Sequence, residues 1–161
     1  MGKTVEEVTP IDVRTRAKEL GCSEPTEFAF VPYGIENAEE KEDLALSDEA
    51  ITLRKILKNE GFNETPIDDG ESLETYSQKS AEAFIGTLFI SYSLLEHDWD
   101  TAVAMITTIR DYYSDIRGSS EVQMTINTEK SDGESREVFY EGPAEELETA
   151  LEKAREIVKD E

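Results

Sequence analysis

The chain has 161 residues, with 16 Lys and Arg against 38 Asp and Glu, one His and one Cys, for a net charge of −22 at neutral pH. One cysteine forms no internal disulfide, and one cysteine with one histidine builds no Cys/His zinc cluster within the chain. The negative charge repels phosphate backbones and anionic headgroups, which weighs against direct nucleic-acid binding and peripheral membrane binding.

Thr9-Pro10-Ile11-Asp12 reads as a helix start, with Thr9 as cap, proline in the first turn and Asp12 at the positive end of the dipole. That helix should run to Leu20 and stop at Gly21. Glu27–Val31 is a compact β-prone segment ended by Pro32, and the acidic stretch Gly34–Leu46 reads as a loop with at most one helical turn. Ser47 caps a second helix, which carries Asp48 and Glu49 in its first turn and Ala50, Leu53 and Leu57 on its core side, and ends at Gly61. Phe62–Ser72, with Pro66 and Gly70, is a connection in which Thr65–Ile67 has room for brief edge pairing.

A third helix is predicted from Leu73–Ser77 through Leu95, apolar almost all round and therefore surrounded by other elements. Gly86 in its interior costs about 1 kcal/mol relative to Ala unless close packing or ligand access compensates. Asp98 caps a fourth helix in which Trp99, Ala102, Val103, Ile106, Ile109, Tyr113 and Ile116 keep helical spacing to Gly118. The two form an antiparallel helical hairpin. From Glu121 the period becomes two: Val122, Met124 and Ile126 alternate with polar residues, Ser131–Glu134 is a turn, and Arg136–Glu141 returns as the second strand. Gly142-Pro143 ends it, and Ala144–Lys159 closes the chain with a Leu147, Ala150, Leu151, Ala154, Ile157, Val158 stripe.

The fold class expected is α+β: a helix-dominated single domain over 1–161, with a central helical hairpin and a C-terminal ββα unit in a small antiparallel sheet that 27–31 extends. Its three portions are 1–72, helix, strand and helix with acidic loops; 73–118, the helical hairpin; and 119–161, the ββα unit. Neither an internal repeat nor a long linker argues for a second domain.

High charge with modest hydrophobicity permits disorder. Apolar residues gathered in periodic blocks, Ala83–Leu95, Ala102–Ile109 and Leu147–Val158, argue instead for a packed core. Because the acids spread over nearly the whole chain, the leading explanation is a halophilic surface, where salt screens self-repulsion and hydrated carboxylates maintain solubility. The rival is a surface that imitates nucleic acid in the basic cleft of another protein. Met1–Leu20 carries Glu6, Glu7, Asp12 and Glu19 and has no signal-peptide core, so the expected location is cytoplasmic. The 13-residue run Ala83–Leu95 is shorter than the ~20 residues that span a bilayer.

His97-Asp98-Trp99-Asp100 combines imidazole and carboxylates, but adjacent positions at a helix start point in different directions and no second histidine completes a facial site. Cys22 has no local cation to lower its pKa and reads as structural. Ser77, Ser80, Ser91 and Ser93 lack a nucleophile elbow or a Ser-x-x-Lys pair, and the glycines match neither a P-loop nor a dinucleotide fingerprint. Asp68-Asp69 and Glu39-Glu40 lack EF-hand spacing. No catalytic residue, metal ligand or cofactor is assigned.

Two groups of residues remain as candidates. Phe139 lies on the opposite strand face from Val138 and Tyr140, so Phe139 and Tyr140 are the candidate partner contacts, the alternative for Phe139 being cover by a layer from the N-terminal half. Gly86, Ser91, Tyr92 and Tyr113 are the candidate pocket beside the helical hairpin. The function expected is a non-enzymatic protein-interaction or regulatory module adapted to high salt, with a protein partner or a second copy of itself. The alternatives are a nucleic-acid-mimicking inhibitor and a small-ligand binder or enzyme using that pocket.

Overall fold

The alternation of apolar and polar residues after position 121 produces two long antiparallel strands, β6 (Glu121–Glu129) and β7 (Ser135–Pro143). Their register pairs Met124 with Tyr140 and Ile126 with Val138, while Thr125 meets Phe139 and Asn127 meets Glu137 one residue out of phase. Since successive side chains point to opposite faces, one face of the hairpin is apolar and buried. This computed structural model describes residues 3–68, 74–76, 83–116 and 121–159.

The hairpin is the middle of a five-stranded sheet. On one side β7 pairs antiparallel with β1 (Thr4–Val8); on the other β6 pairs parallel with β5 (Ala83–Ile90), which pairs antiparallel with β2 (Phe28–Val31). The sheet is therefore mixed and larger than the small antiparallel one predicted. The remaining strands, β3 (Ala45–Ser47) and β4 (Glu74–Tyr76), form a separate parallel pair.

The predicted helix through Ala83–Leu95 is corrected to a strand followed by a short helix, so among the described residues the first arm of the central helical hairpin is not a helix over Ala83–Ile90. In β5, Leu88 and Ile90 join the cluster under one sheet face, whereas Phe89 between them joins the cluster on the other. A strand buried on both faces reads as a continuous apolar run, which periodicity does not separate from a buried helix. Gly86 takes φ +90° at a register shift between Phe84 and Gly86, so the glycine serves a β-bulge. The chain then turns at Ser91, whose hydroxyl caps α3 (Tyr92–His97) by accepting the Leu94 N–H at 3.1 Å. Helix α4 (Trp99–Asp111) follows, with Asp98 at the capping position but without a side-chain cap bond. The predicted start at Leu73 and end at Gly118 lie outside the described residues.

The N-terminal helix also begins later than expected. Val5 and its neighbours pair with β7, and Ile11 is held by its backbone: its N–H donates to Glu137 Oε1 at 3.3 Å and its carbonyl accepts from Asn127 Nδ2 at 2.8 Å. Helix α1 therefore runs Val13–Glu19 with Asp12, not Thr9, as its cap. Helix α2 (Asp48–Asn59) follows the Ser47 cap as predicted, and the ββα ending completes with α5 (Glu148–Lys159).

Two layers cover the sheet. Leu53 and Leu57 of α2, Met105 and Ile109 of α4 and Leu151 and Val158 of α5 pack with Phe30, Leu88, Met124 and Tyr140 in the main core. On the other face Val13 and Ala17 of α1 pack with Ala29, Val31 and Phe89 under the Ile35–Leu44 loop. Arg155 of α5 lies over the Trp99 ring at 4.3 Å, joining the two helices at the surface.

Candidate functional site

The predicted pocket residues are dispersed. Gly86 borders a cavity of about 70 Å³ shared with Ile11, Tyr33, Glu36 and Ser47. Ser91 is consumed as the α3 cap. Tyr92 is half-buried and stands edge-on to His97, with ring centroids 6.0 Å apart. Tyr113 is fully buried and donates its hydroxyl to Glu49 Oε1 at 2.7 Å, on the helix side of the sheet. The cavity that Gly86 borders is lined by none of the other three.

The partner candidates separate likewise. Phe139 is half-buried on the sheet face away from the main core, in register with Glu6 on β1 and Thr125 on β6. Tyr140 is corrected from a contact to a core residue: it is fully buried and its hydroxyl donates to the Pro143 carbonyl at 2.5 Å. Burial, reinforced by Glu146, Glu121 and Glu145, pushes its phenol up to about 12.

The strongest polar arrangement lies where no motif pointed, between α2 and the loop that follows it. The Arg54 guanidinium donates through Nε to Glu64 Oε1 at 2.6 Å and through Nη2 to Glu64 Oε2 at 3.0 Å. It also grips Asp68, with Nη1 to Oδ2 and Nη2 to Oδ1 both at 3.0 Å. Glu64 and Asp68 are almost wholly buried, their side chains 7% and 1% exposed. Burial pushes the Glu64 carboxyl up, against the pull of Arg54 and the Phe30 N–H. Burial alone would lower the Arg54 pKa, but the hydrogen bonds and charges of Asp68 and Glu64 outweigh it and raise it. Such a network fixes geometry, because removing one member strands a buried charge.

This network floors a surface cleft of about 330 Å³ lined by Arg54, Lys55, Lys58, Phe62, Asn63, Glu64 and Pro66. Lys55 and Lys58 are exposed on its rim. On the opposite flank of α2, a groove of about the same volume, 330 Å³, is lined by Ile56, Glu60, Thr108, Asp111, Tyr112 and Asp115. One helix thus separates a cationic cleft from an anionic groove. The signal available in the sequence was the clustering of Arg54, Lys55 and Lys58, three of sixteen cations within five residues of an acidic chain, followed by Phe62 and Pro66.

No described helix is long and apolar enough to cross a membrane. Among the described residues no group of three His, Cys, Asp or Glu side chains is placed to hold a metal ion. Neither a protein-family model, nor a curated protein, nor a solved structure matches the chain.

Proposed function

We propose that the chain is a small, cytoplasmic, non-enzymatic protein-interaction module adapted to high salt, and that its contact surface is the cleft on α2. The observation that carries this reading is the concentration of positive charge beside apolar surface. Lys55 and Lys58, both exposed, rim one cleft with Phe62 and Pro66, while Arg54 in its floor is matched by Glu64 and Asp68 and the molecule as a whole carries −22. A cleft of that composition suits an acidic segment bearing an aromatic or aliphatic side chain: Lys55 and Lys58 pair with its carboxylates, and Phe62 and Pro66 receive its apolar group. Arg54 is engaged by Glu64 and Asp68, so its role is to hold the floor rigid.

The remaining acids support salt adaptation over mimicry of nucleic acid. Exposed carboxylates occur at Glu6 and Glu7 on β1, Glu19 on α1, Asp100 on α4 and Glu148, Glu152 and Glu156 on α5. Mimicry calls for a single stripe, whereas a solvated shell calls for coverage of separate elements on both sides of the sheet.

The test is fluorescence anisotropy with a labelled oligoglutamate peptide ending in tyrosine, titrated with protein across a KCl series. Saturable binding that Lys55→Glu with Lys58→Glu weakens at least about tenfold supports the cleft. Binding that is absent from wild type, or indifferent to the reversal, contradicts it.

A further inference from the structure

We infer that the partner of the cationic cleft is the anionic groove of a second copy of this chain, so that two copies pair side by side along α2. This rests on the reading of the cleft as a contact surface and specifies its occupant. The complement is already present on the same molecule. The cleft offers Lys55 and Lys58 with Phe62 and Pro66; the groove offers Glu60 and Asp115 with Ile56 and Tyr112, and Asp111 in the same groove is held by Arg110 at 3.0 Å. Both border the same twelve-residue helix, one on each flank.

The helical repeat fixes how they are arranged. With 3.6 residues per turn, Arg54 and Lys58 fall on one flank of α2 and Ile56 and Glu60 on the other, with Lys55, Asn59 and Thr52 on the crest between. A two-fold axis parallel to α2 sets the helices of two copies side by side in the same direction. It turns the cationic flank of each toward the anionic flank of the other. A two-fold perpendicular to the helices sets cation against cation, so charge selects the parallel arrangement. That arrangement is closed and makes every contact twice.

Net charge decides when pairing occurs. Each copy carries −22, and this long-range repulsion is screened when the Debye length falls from about 10 Å at 0.1 M salt to about 3 Å at 1 M. Burial of Phe62 and Tyr112 acts at shorter range and persists, while the exposed Lys–carboxylate contacts weaken with salt but less than the long-range repulsion, because they act within a few Å. The dimer therefore forms as salt rises, the reverse of an association driven by opposite net charges.

Sedimentation equilibrium in concentrated KCl reads the outcome, with circular dichroism on every sample to establish that each variant is folded. Wild type is expected at twice the 18.1 kDa chain mass. Lys55→Glu with Lys58→Glu, and separately Glu60→Lys with Asp115→Lys, are each expected at the single-chain mass. An equimolar mixture of the two folded variants returns to the doubled mass, because each carries the complement the other lost. Monomeric wild type with intact peptide binding overturns the self-pairing and leaves the cleft as a contact surface for another protein. Reversals that change neither peptide binding nor mass overturn both readings. Mass growing without limit overturns the two-fold, and a mixture that stays monomeric overturns the charge pairing.

Discussion

Glu64 accepts the backbone N–H of Phe30 at 2.8 Å, so a side chain from the loop after α2 occupies a hydrogen-bonding position on the outer strand of the sheet. Outer strands otherwise present unpaired backbone groups that recruit other strands. The same carboxylate is held by Arg54, which ties the edge of β2 to the floor of the cleft.

Glu64→Ala is expected to cost about 3 kcal/mol, since it leaves Phe30 without its acceptor and Arg54 with half of its partners. Replacing both Arg54 and Glu64 by Met should cost less than the sum of the single replacements, because the Arg54–Glu64 contact is lost in each single variant and counted only once in the double, although Asp68 is then left buried without Arg54 in either background. Urea unfolding at fixed KCl measures both, and a loss below about 1 kcal/mol for Glu64→Ala would show that the network does not hold the edge.

Gly86→Ala distinguishes strand from helix by its sign. At φ +90° with open space where the Cβ would stand, alanine meets backbone strain alone, a loss of about 1–2 kcal/mol. In a helix interior the same change would stabilise by about 1 kcal/mol. Thermal unfolding of this one variant reads the sign directly.

Glu137 supplies a pH dependence. Burial pushes its carboxyl above the ordinary range and nearby Glu36 adds to this, while hydrogen bonds from Asn127 and the Ile11 N–H pull the other way. A raised folded-state value means that the native protein binds this proton more tightly than the unfolded chain. Stability therefore falls as pH rises from the ordinary carboxylate value through the raised one. Glu137→Gln keeps an acceptor for Asn127 and Ile11 without the charge. It should flatten that slope in part, because Glu64 contributes in the same direction, and leave the protein at least as stable as wild type at neutral pH. Urea unfolding at several pH values checks this; an unchanged slope counts against it.

Local chemistry made some elements legible and tertiary context hid the rest. Ser47, with Asp48 and Glu49 behind it, announces α2 because an N-cap and dipole charges are sequence-local signals. Strands β6 and β7 are legible because one face is wet, which leaves the alternation visible. By contrast β5 lies between two packed layers and has no polar face to betray its period. Strand β1 was missed because Glu6 and Glu7 interrupt its apolar pattern, and its pairing comes from β7, more than a hundred residues away. The Arg54 network joins a helix to residues ten and fourteen positions later, and no local spacing rule encodes that meeting.

Far-UV circular dichroism across a KCl series, with light scattering on the same samples, tests the central claim of a salt-adapted interaction module most directly. Cooperative structure is expected to grow as KCl rises, and the mass to double in the salt range where the fold is complete. A chain fully folded without added salt and at single-chain mass throughout would contradict it.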